Sequence, residues 1–167
     1  MTAATAGASV AVLDFELKDL TLQPGTAVEL ERTAAIAPLL AEVLSEKYGY
    51  RIVSLDPATQ ANANVGFGYL FDHHNVAAGL GRDVGARWVV VGRVHKASFL
   101  FVYFLAHVVD AQSGKLVGDV AVEVKGPQRE LTIRGIESLA QRTATSIERA
   151  TGVDPVDRTD TDLTTAR

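Results

Sequence analysis

Between Trp88 and Gly126 the chain carries three apolar runs, broken at two places by polar, turn-forming residues. The runs are Trp88-Val-Val-Val-Gly-Arg-Val-His95, Phe99-Leu-Phe-Val-Tyr-Phe-Leu-Ala-His107-Val-Val-Asp110 and Lys115-Leu-Val-Gly-Asp-Val-Ala-Val-Glu-Val-Lys125. Val, Phe and Tyr dominate them, and these side chains suit a pleated, half-buried surface. In the third run Leu116, Val120, Val122 and Val124 fall on one face, and Lys115, Asp119, Glu123 and Lys125 on the other. Period-two alternation of this kind marks a strand with one wet face. Asp110 to Gly114 supplies the Asp, Gln, Ser and Gly that a tight loop needs. Lys96-Ala97-Ser98 is the least apolar point of the earlier stretch, which is too long for one ordinary strand. These features predict an antiparallel three-stranded meander. A membrane span is the competing reading and is not expected, because Arg93, His95, Lys96 and His107 interrupt the apolar run.

The rest of the chain supplies helices for this sheet. Val10 to Phe15 reads as a first buried strand and Glu16 to Thr26 as a loop with Pro24 and Gly25. Ile36, Leu39, Leu40, Val43, Leu44 and Tyr48 recur at helical spacing, which predicts a helix from about Ala27 to Tyr48. Pro38 predicts a kink or a break near Ala37, and Gly49 ends the helix. Arg51 to Leu55 reads as the second strand, and Ala58 to Asn64 as a short helical candidate after Asp56-Pro57. Val65 to Phe71 reads as a loop with aromatic anchors. A helix from His73 to about Val84 comes next, with Asp72 as its cap. Ile133, Ile136, Ala140, Thr143 and Ile147 line one side of a last helix that runs to about Ala150. The order is β-α-β-α-β-β-β-α, an α/β (α+β) fold with a mixed sheet, a C-terminal antiparallel meander and helices packed on it. The organisation expected is a disordered segment 1–8, one α/β domain over 9–151 and a disordered, Thr- and Asp-rich tail over 152–167.

Charge and cysteine content narrow the function. The net charge of −4 provides no basic surface for phosphate, so no nucleic-acid partner is expected. Cysteine is absent, which removes disulfides, thiolate metal sites and thiol nucleophiles. The small, polar residues 1–9 are no signal peptide; they look like the first residues after a cleaved one, with a plain cytoplasmic N-terminus as the alternative that composition does not separate from it.

The order of elements, with Val10 to Phe15, Gly85-Ala86, Val91-Gly92, Val94, Lys96, Ser98, Leu100, Val109-Asp110, Gly114, Lys125-Gly126 and Arg134-Gly135, resembles a group of bacterial envelope domains. The group includes the N-terminal domain of TolB, the CsgG-type secretion proteins and the lipoprotein activators of penicillin-binding proteins. Within it the chain is most similar to a secreted family of unknown function found near quinoprotein alcohol dehydrogenase genes. The resemblance implies a periplasmic or secreted location and an accessory role with an envelope protein as partner. Two departures stand out. A Cys-x-x-Cys-like pair of relatives is replaced by Phe71-Asp-His-His-Asn-Val-Ala77, and an Arg-Gly-Asn-Thr-Asp by Lys125-Gly-Pro-Gln-Arg129.

Several clusters could carry chemistry, and each has a plainer reading. Asp72, His73 and His74, with His95, are the candidates for a metal, but adjacent helical residues point about 100° apart and chelation wants i, i+4 spacing. A polar helix start is the alternative. His95 and His107 could share a face on neighbouring strands, or could each be half-buried and hydrogen-bonded. Lys96 and Ser98 flank a turn and lack the third group of a Ser–Lys pair, leaving a structural or partner-binding role. Asp14 and Asp110 end strands, where a ligand or a turn could use them. Phe67, Tyr69 and Phe71 line a pocket or fill a core, and Gly66-x-Gly68 lacks the following Lys of a phosphate loop. No convergent catalytic set emerges and no cofactor is expected. The leading expectation is a non-catalytic binding domain using the exposed face of the meander, or the loops 67–75 and 16–25. The alternative is a small-molecule or metal-binding protein using the loop 67–75, with an enzyme third.

Overall fold

The computed structural model describes residues 7–152, so the expectations for 1–6 and for the tail 153–167 lie outside the described residues. Six strands and five helices form a mixed α/β structure with the helices on both faces of one sheet. The strands are β1 Ser9–Val12, β2 Glu16–Asp19, β3 Arg51–Ile52, β4 Trp88–Lys96, β5 Phe101–Asp110 and β6 Leu116–Lys125. The helices are α1 Ala27–Tyr48, α2 Pro57–Ala63, α3 Tyr69–Asp72, α4 His74–Asp83 and α5 Arg129–Ala150. Along the sheet the order is β3-β1-β4-β5-β6, with β2 also on β4. The pairings among β1, β3, β4 and β2 are parallel, and β4-β5-β6 is the antiparallel meander read from the sequence.

Two cores separate by face. Val90, Val94, Val102, Phe104, Ala106, Val122 and Val124 pack against Ile36, Leu40 and Leu44 of α1 and Ile136, Leu139 and Ile147 of α5. Val89, Val91 and Val109 pack against Leu70, Phe71, Ala77 and Leu80 of α3 and α4. The second layer stops short of β6, so Asp119, Ala121, Glu123 and Lys125 face outward uncovered.

Several sequence expectations need correction, among them the loop over 65–71, whose last residues open α3 at Tyr69, and the second strand, which ends at Ile52. Glu16 to Asp19 is a strand rather than loop, running beside Arg93–Lys96 on the same edge of β4 that β1 occupies. From Val12 to Glu16 the chain takes four steps while its partner takes three, from Val90 to Arg93. The extra residue bulges out, and the Gln60 amide bonds both the N–H and the carbonyl of Asp14 there. Helix α1 continues through Pro38, which sits on the exposed side where the carbonyl it frees can meet water. Asp72 does not cap α4: it closes the one-turn α3, and His73 is the N-cap without a side-chain bond. Leu116 and Ile133 are exposed. A bulge at Val117, where Val108 faces Gly118 and Val109 faces Leu116, changes the phase of the alternation before it reaches Leu116.

Candidate functional site

One end of the sheet gathers most of the apolar side chains that the fold leaves in water. The C-terminal end of β2, the β4–β5 turn, the β6–α5 turn and the start of α1 meet there. Leu20 N–H bonds the Lys96 carbonyl at 3.0 Å and Gly126 N–H the Leu100 carbonyl at 3.1 Å. Arg32 of α1 donates to the Gly126 carbonyl at 3.1 Å. From this frame project Leu20, Leu22, Val28, Phe99, Leu100 and Phe101. Leu22 is 96% exposed, Phe99 65% and Leu100 67%. Full burial of a side chain of this size is worth about 1.5–3 kcal/mol, and each of these forgoes the share that stays wet. An open groove of ≈ 300 Å³ runs from Leu100 and Phe101 to Pro127, and a second of ≈ 230 Å³ continues past Pro127 between Val28, Leu39 and Ile133.

Local chemistry holds these residues outward. In the β4–β5 turn the Ser98 hydroxyl accepts from the Leu100 and Phe101 N–H groups, and Ala97 N–H bonds the Phe101 carbonyl. The turn closes through its own polar groups, and Phe99 and Leu100 are left at its tip. In the loop after β2, Asp19 does the corresponding work. One carboxylate oxygen accepts from the Thr21 N–H at 3.0 Å and its hydroxyl at 2.6 Å, the other from Gly25 N–H at 3.2 Å. Burial acts to raise the Asp19 pKa, but these donors and the Lys96 ammonium hold it below the ordinary carboxylate value.

Beneath the apolar end lies a buried group of four charges. Lys96 Nζ stands 3.2 Å from Glu29 and 3.8 Å from Asp19, and Arg32 donates to Glu29 at 2.8 Å. All four side chains are under 10% exposed. Two cations and two anions balance, which is the condition for burying charge at tolerable cost. The group ties β2, β4 and α1 together, and through Gly126 the β6–α5 turn.

The loop 67–75 is built differently. Arg93 of β4 pairs with Glu16 of β2 at 2.6 Å, and its guanidinium lies over the Phe71 ring at 4.2 Å and the Phe67 ring at 5.3 Å. Glu16 also accepts the Gly68 N–H at 2.9 Å. Gly68 has φ +80°, and a Cβ there would stand 2.8 Å from Arg93, so the turn requires glycine. Phe71 is buried and stacks on His107, Tyr69 is half-buried and stacks on His73, and Phe67 is exposed.

Of the residues singled out from the sequence, the structure brings together His74 and His107, whose Nε2 and Nδ1 are 3.1 Å apart. Asp72 and His73 are exposed. His95 faces Tyr103, four positions along β5 from His107. Lys96 lies in the buried charge group and Ser98 in the turn. Among the described residues no three His, Cys, Asp or Glu side chains are placed to hold a metal ion. The stretch 16–25 expected as a binding loop contains Leu20 and Leu22, but the sequence singles out neither of these two residues, nor Phe99 and Leu100, as an exposed apolar side chain. The available signal was two leucines in a stretch otherwise rich in Thr, Gln, Pro and Gly.

His107 gives a pH dependence. Its Nδ1 lies 2.9 Å from the Phe71 carbonyl, which can only accept, so Nδ1 carries the proton and the His74 Nε2 accepts. Burial pushes the His107 pKa below its usual value, assisted by His74 and opposed by the Phe71 carbonyl, Asp119 and Asp72. The unfolded chain therefore takes up this proton at higher pH than the folded one. His107 contributes stability above the unfolded value of about 6.5, and that contribution falls as pH drops below it, down to the lower folded value. A His107→Phe variant is expected to show a flatter dependence of urea midpoint on pH below about 6.5 than the wild type.

A family model described as a protein of unknown function (DUF2380), DUF3280, matches residues 8–143. The chain belongs to this family. No curated protein matches the sequence. Among solved structures, this DUF3280 member is similar to PelC from Paraburkholderia phytofirmans, a dodecamer, at 18% identity over 87% of this chain and 90% of that one, TM-score 0.53. It is similar to the LpoB C-terminal domain from Salmonella enterica at 13% identity over 74% and 87%, TM-score 0.52. It is also similar to lipoprotein GNA1162 from Neisseria meningitidis at 13% identity over 83% and 99%, TM-score 0.51. These likenesses establish a shared fold for the DUF3280 chain. No helix among its described residues is long and apolar enough to cross a membrane.

Proposed function

We propose that this chain is a non-catalytic accessory domain of the bacterial envelope, periplasmic or secreted, that holds a protein partner against the apolar end of its sheet. The observation that carries the reading is the convergence of Leu20, Leu22, Val28, Phe99, Leu100 and Phe101 on one end. Scattered exposed apolar residues are ordinary, but a contiguous group marks an interaction surface. The open grooves beside Pro127 suit side chains of a protein better than a small ligand, which prefers an enclosed pocket. The fold shared with a lipoprotein supports the envelope location, and the fold shared with a dodecamer supports action through surface contacts. The sequence resemblance makes quinoprotein dehydrogenase systems the first place to seek the partner. The loop 67–75 has less support as a metal site, because its His and Asp side chains do not converge.

The test is a variant carrying Leu22→Ser, Phe99→Ser and Leu100→Ser, compared with Leu116→Ser at the other end of the sheet. Leu22, Phe99 and Leu100 are mostly in water, so the triple variant should melt close to the wild type, and Leu116, at 40% exposure, should lose somewhat more. In cross-linked envelopes of the native host, the triple variant should recover its partner at least about tenfold less than wild type, and Leu116→Ser should recover it normally. Equal recovery by the triple variant and the wild type contradicts the assignment.

A further inference from the structure

The open edge of the sheet, β6, has a feature that the apolar end does not use. Residues of β5 alternate in the direction of their backbone groups. Phe101 bonds toward β4, through Ala97, and Leu100 toward β6, through Gly126. With Phe104 opposite Val122 and Leu105 opposite Ala121, the backbone groups of Asp119, Ala121 and Glu123 point away from β5. They form a row at the sheet's edge that no further strand pairs. At its middle, Arg142 of α5 donates to the Ala121 carbonyl at 2.7 Å.

Arg142 belongs to a set. The grooves of ≈ 430 and ≈ 150 Å³ between β6 and α5 contain three α5 charges, Arg134, Arg142 and Arg149, all positive. On the other face of the edge strand Asp119 and Glu123 are exposed, with Lys125 beyond them 3.3 Å from Glu123. We propose that β6 accepts an extended segment of another protein as a further strand, and that this segment carries acidic side chains toward α5 alternating with basic ones beside Asp119 and Glu123. Strand side chains alternate between faces, so one pattern satisfies both charge sets. The incoming N–H takes the Ala121 carbonyl, and an incoming carboxylate takes the guanidinium that leaves it. Arg142 thus closes the edge to strands without that carboxylate. A second copy of this chain fits less well, because it would bring the arginines of one α5 toward those of the other.

The probe is a fluorescent eight-residue peptide alternating glutamate with lysine and threonine, with a peptide of the same composition in scrambled order as control. Fluorescence polarisation at low salt should show the alternating peptide binding at least about tenfold tighter than the scrambled one. Arg142→Glu should lower that binding about tenfold or more. Ala121→Pro removes an outward N–H and leaves the bonds to β5, so it should bind weakly while melting near the wild type. With wild-type protein, N-methylation of the peptide at every second residue should abolish binding in one phase and spare it in the other. Equal binding of the alternating and scrambled peptides overturns the proposal, as does indifference to the methylation phase. Concentration-dependent dimerisation that Ala121→Pro abolishes would overturn it in favour of self-pairing.

Discussion

A Lys96→Met variant is expected to lose about 3–5 kcal/mol of folding free energy. Lys96 stands between Glu29 and Asp19, and all three side chains are nearly shut off from water. Removing the ammonium leaves two buried carboxylates with one guanidinium, that of Arg32, among them. The remaining bonds moderate the loss, since Asp19 keeps Thr21 and Gly25 and Glu29 keeps Arg32. The lower part of the range is therefore expected, read as the urea midpoint shift times the slope. A Lys96→Met, Glu29→Gln double variant should cost less than the sum of the singles, because the second change removes the charge that the first leaves unpaired. The same loss should loosen the segment after β2 and the β4–β5 turn, seen as faster protease cleavage near Leu22 and Phe99. A Lys96→Met protein as stable as wild type would mean that these four charges do not organise the end of the sheet.

Gly92→Ala is expected to cost about 3 kcal/mol, at the upper end of the range for overpacking. A Cβ at residue 92 would lie within 2.1–2.3 Å of three atoms of the Phe15 ring. No rotation about a flexible end relieves this, because the ring is buried in the core between β1 and β2. Phe15 sits just past the bulge that lets both strands share one edge of β4. Moving it strains the pairing of Glu16 with Arg93 and the charge group beyond it. Thermal melting of Gly92→Ala, Phe15→Leu and the double variant checks the contact. The double variant should be more stable than the two separate losses predict.

How far the fold was legible depends on the range of the contacts involved. The meander could be read because Val120, Val122 and Val124 alternate with charged residues, and its turn because Asp110 to Gly114 carries local turn chemistry. Helices α1 and α5 could be read from their own periodicity. β2 could not be read: Glu16-Leu-Lys-Asp19 has no apolar run, and its partner residues lie 77 positions away, as for Glu16 and Arg93. The cap of α4 was misassigned because capping depends on backbone angles, and Asp72 is taken up in the turn of α3. The candidate end of the molecule was legible in pieces. Lys96, Ser98 and the stretch 16–25 were picked out separately, without the contact of Lys96 with Glu29 that joins them. In the sequence, Phe99 and Leu100 read as the start of the half-buried second strand of the meander. Only the return of the chain at Ser98 shows that they lie at a tip.

The most direct measurement places a photo-activated cross-linking side chain, p-benzoylphenylalanine, at residue 99 or at residue 116 and irradiates the protein in its native envelope. The account predicts one discrete adduct of higher mass from position 99, carried by the same protein that the Leu22, Phe99 and Leu100 substitutions release, and none from position 116. The contradicting result is an adduct with that protein from position 116 and none from position 99.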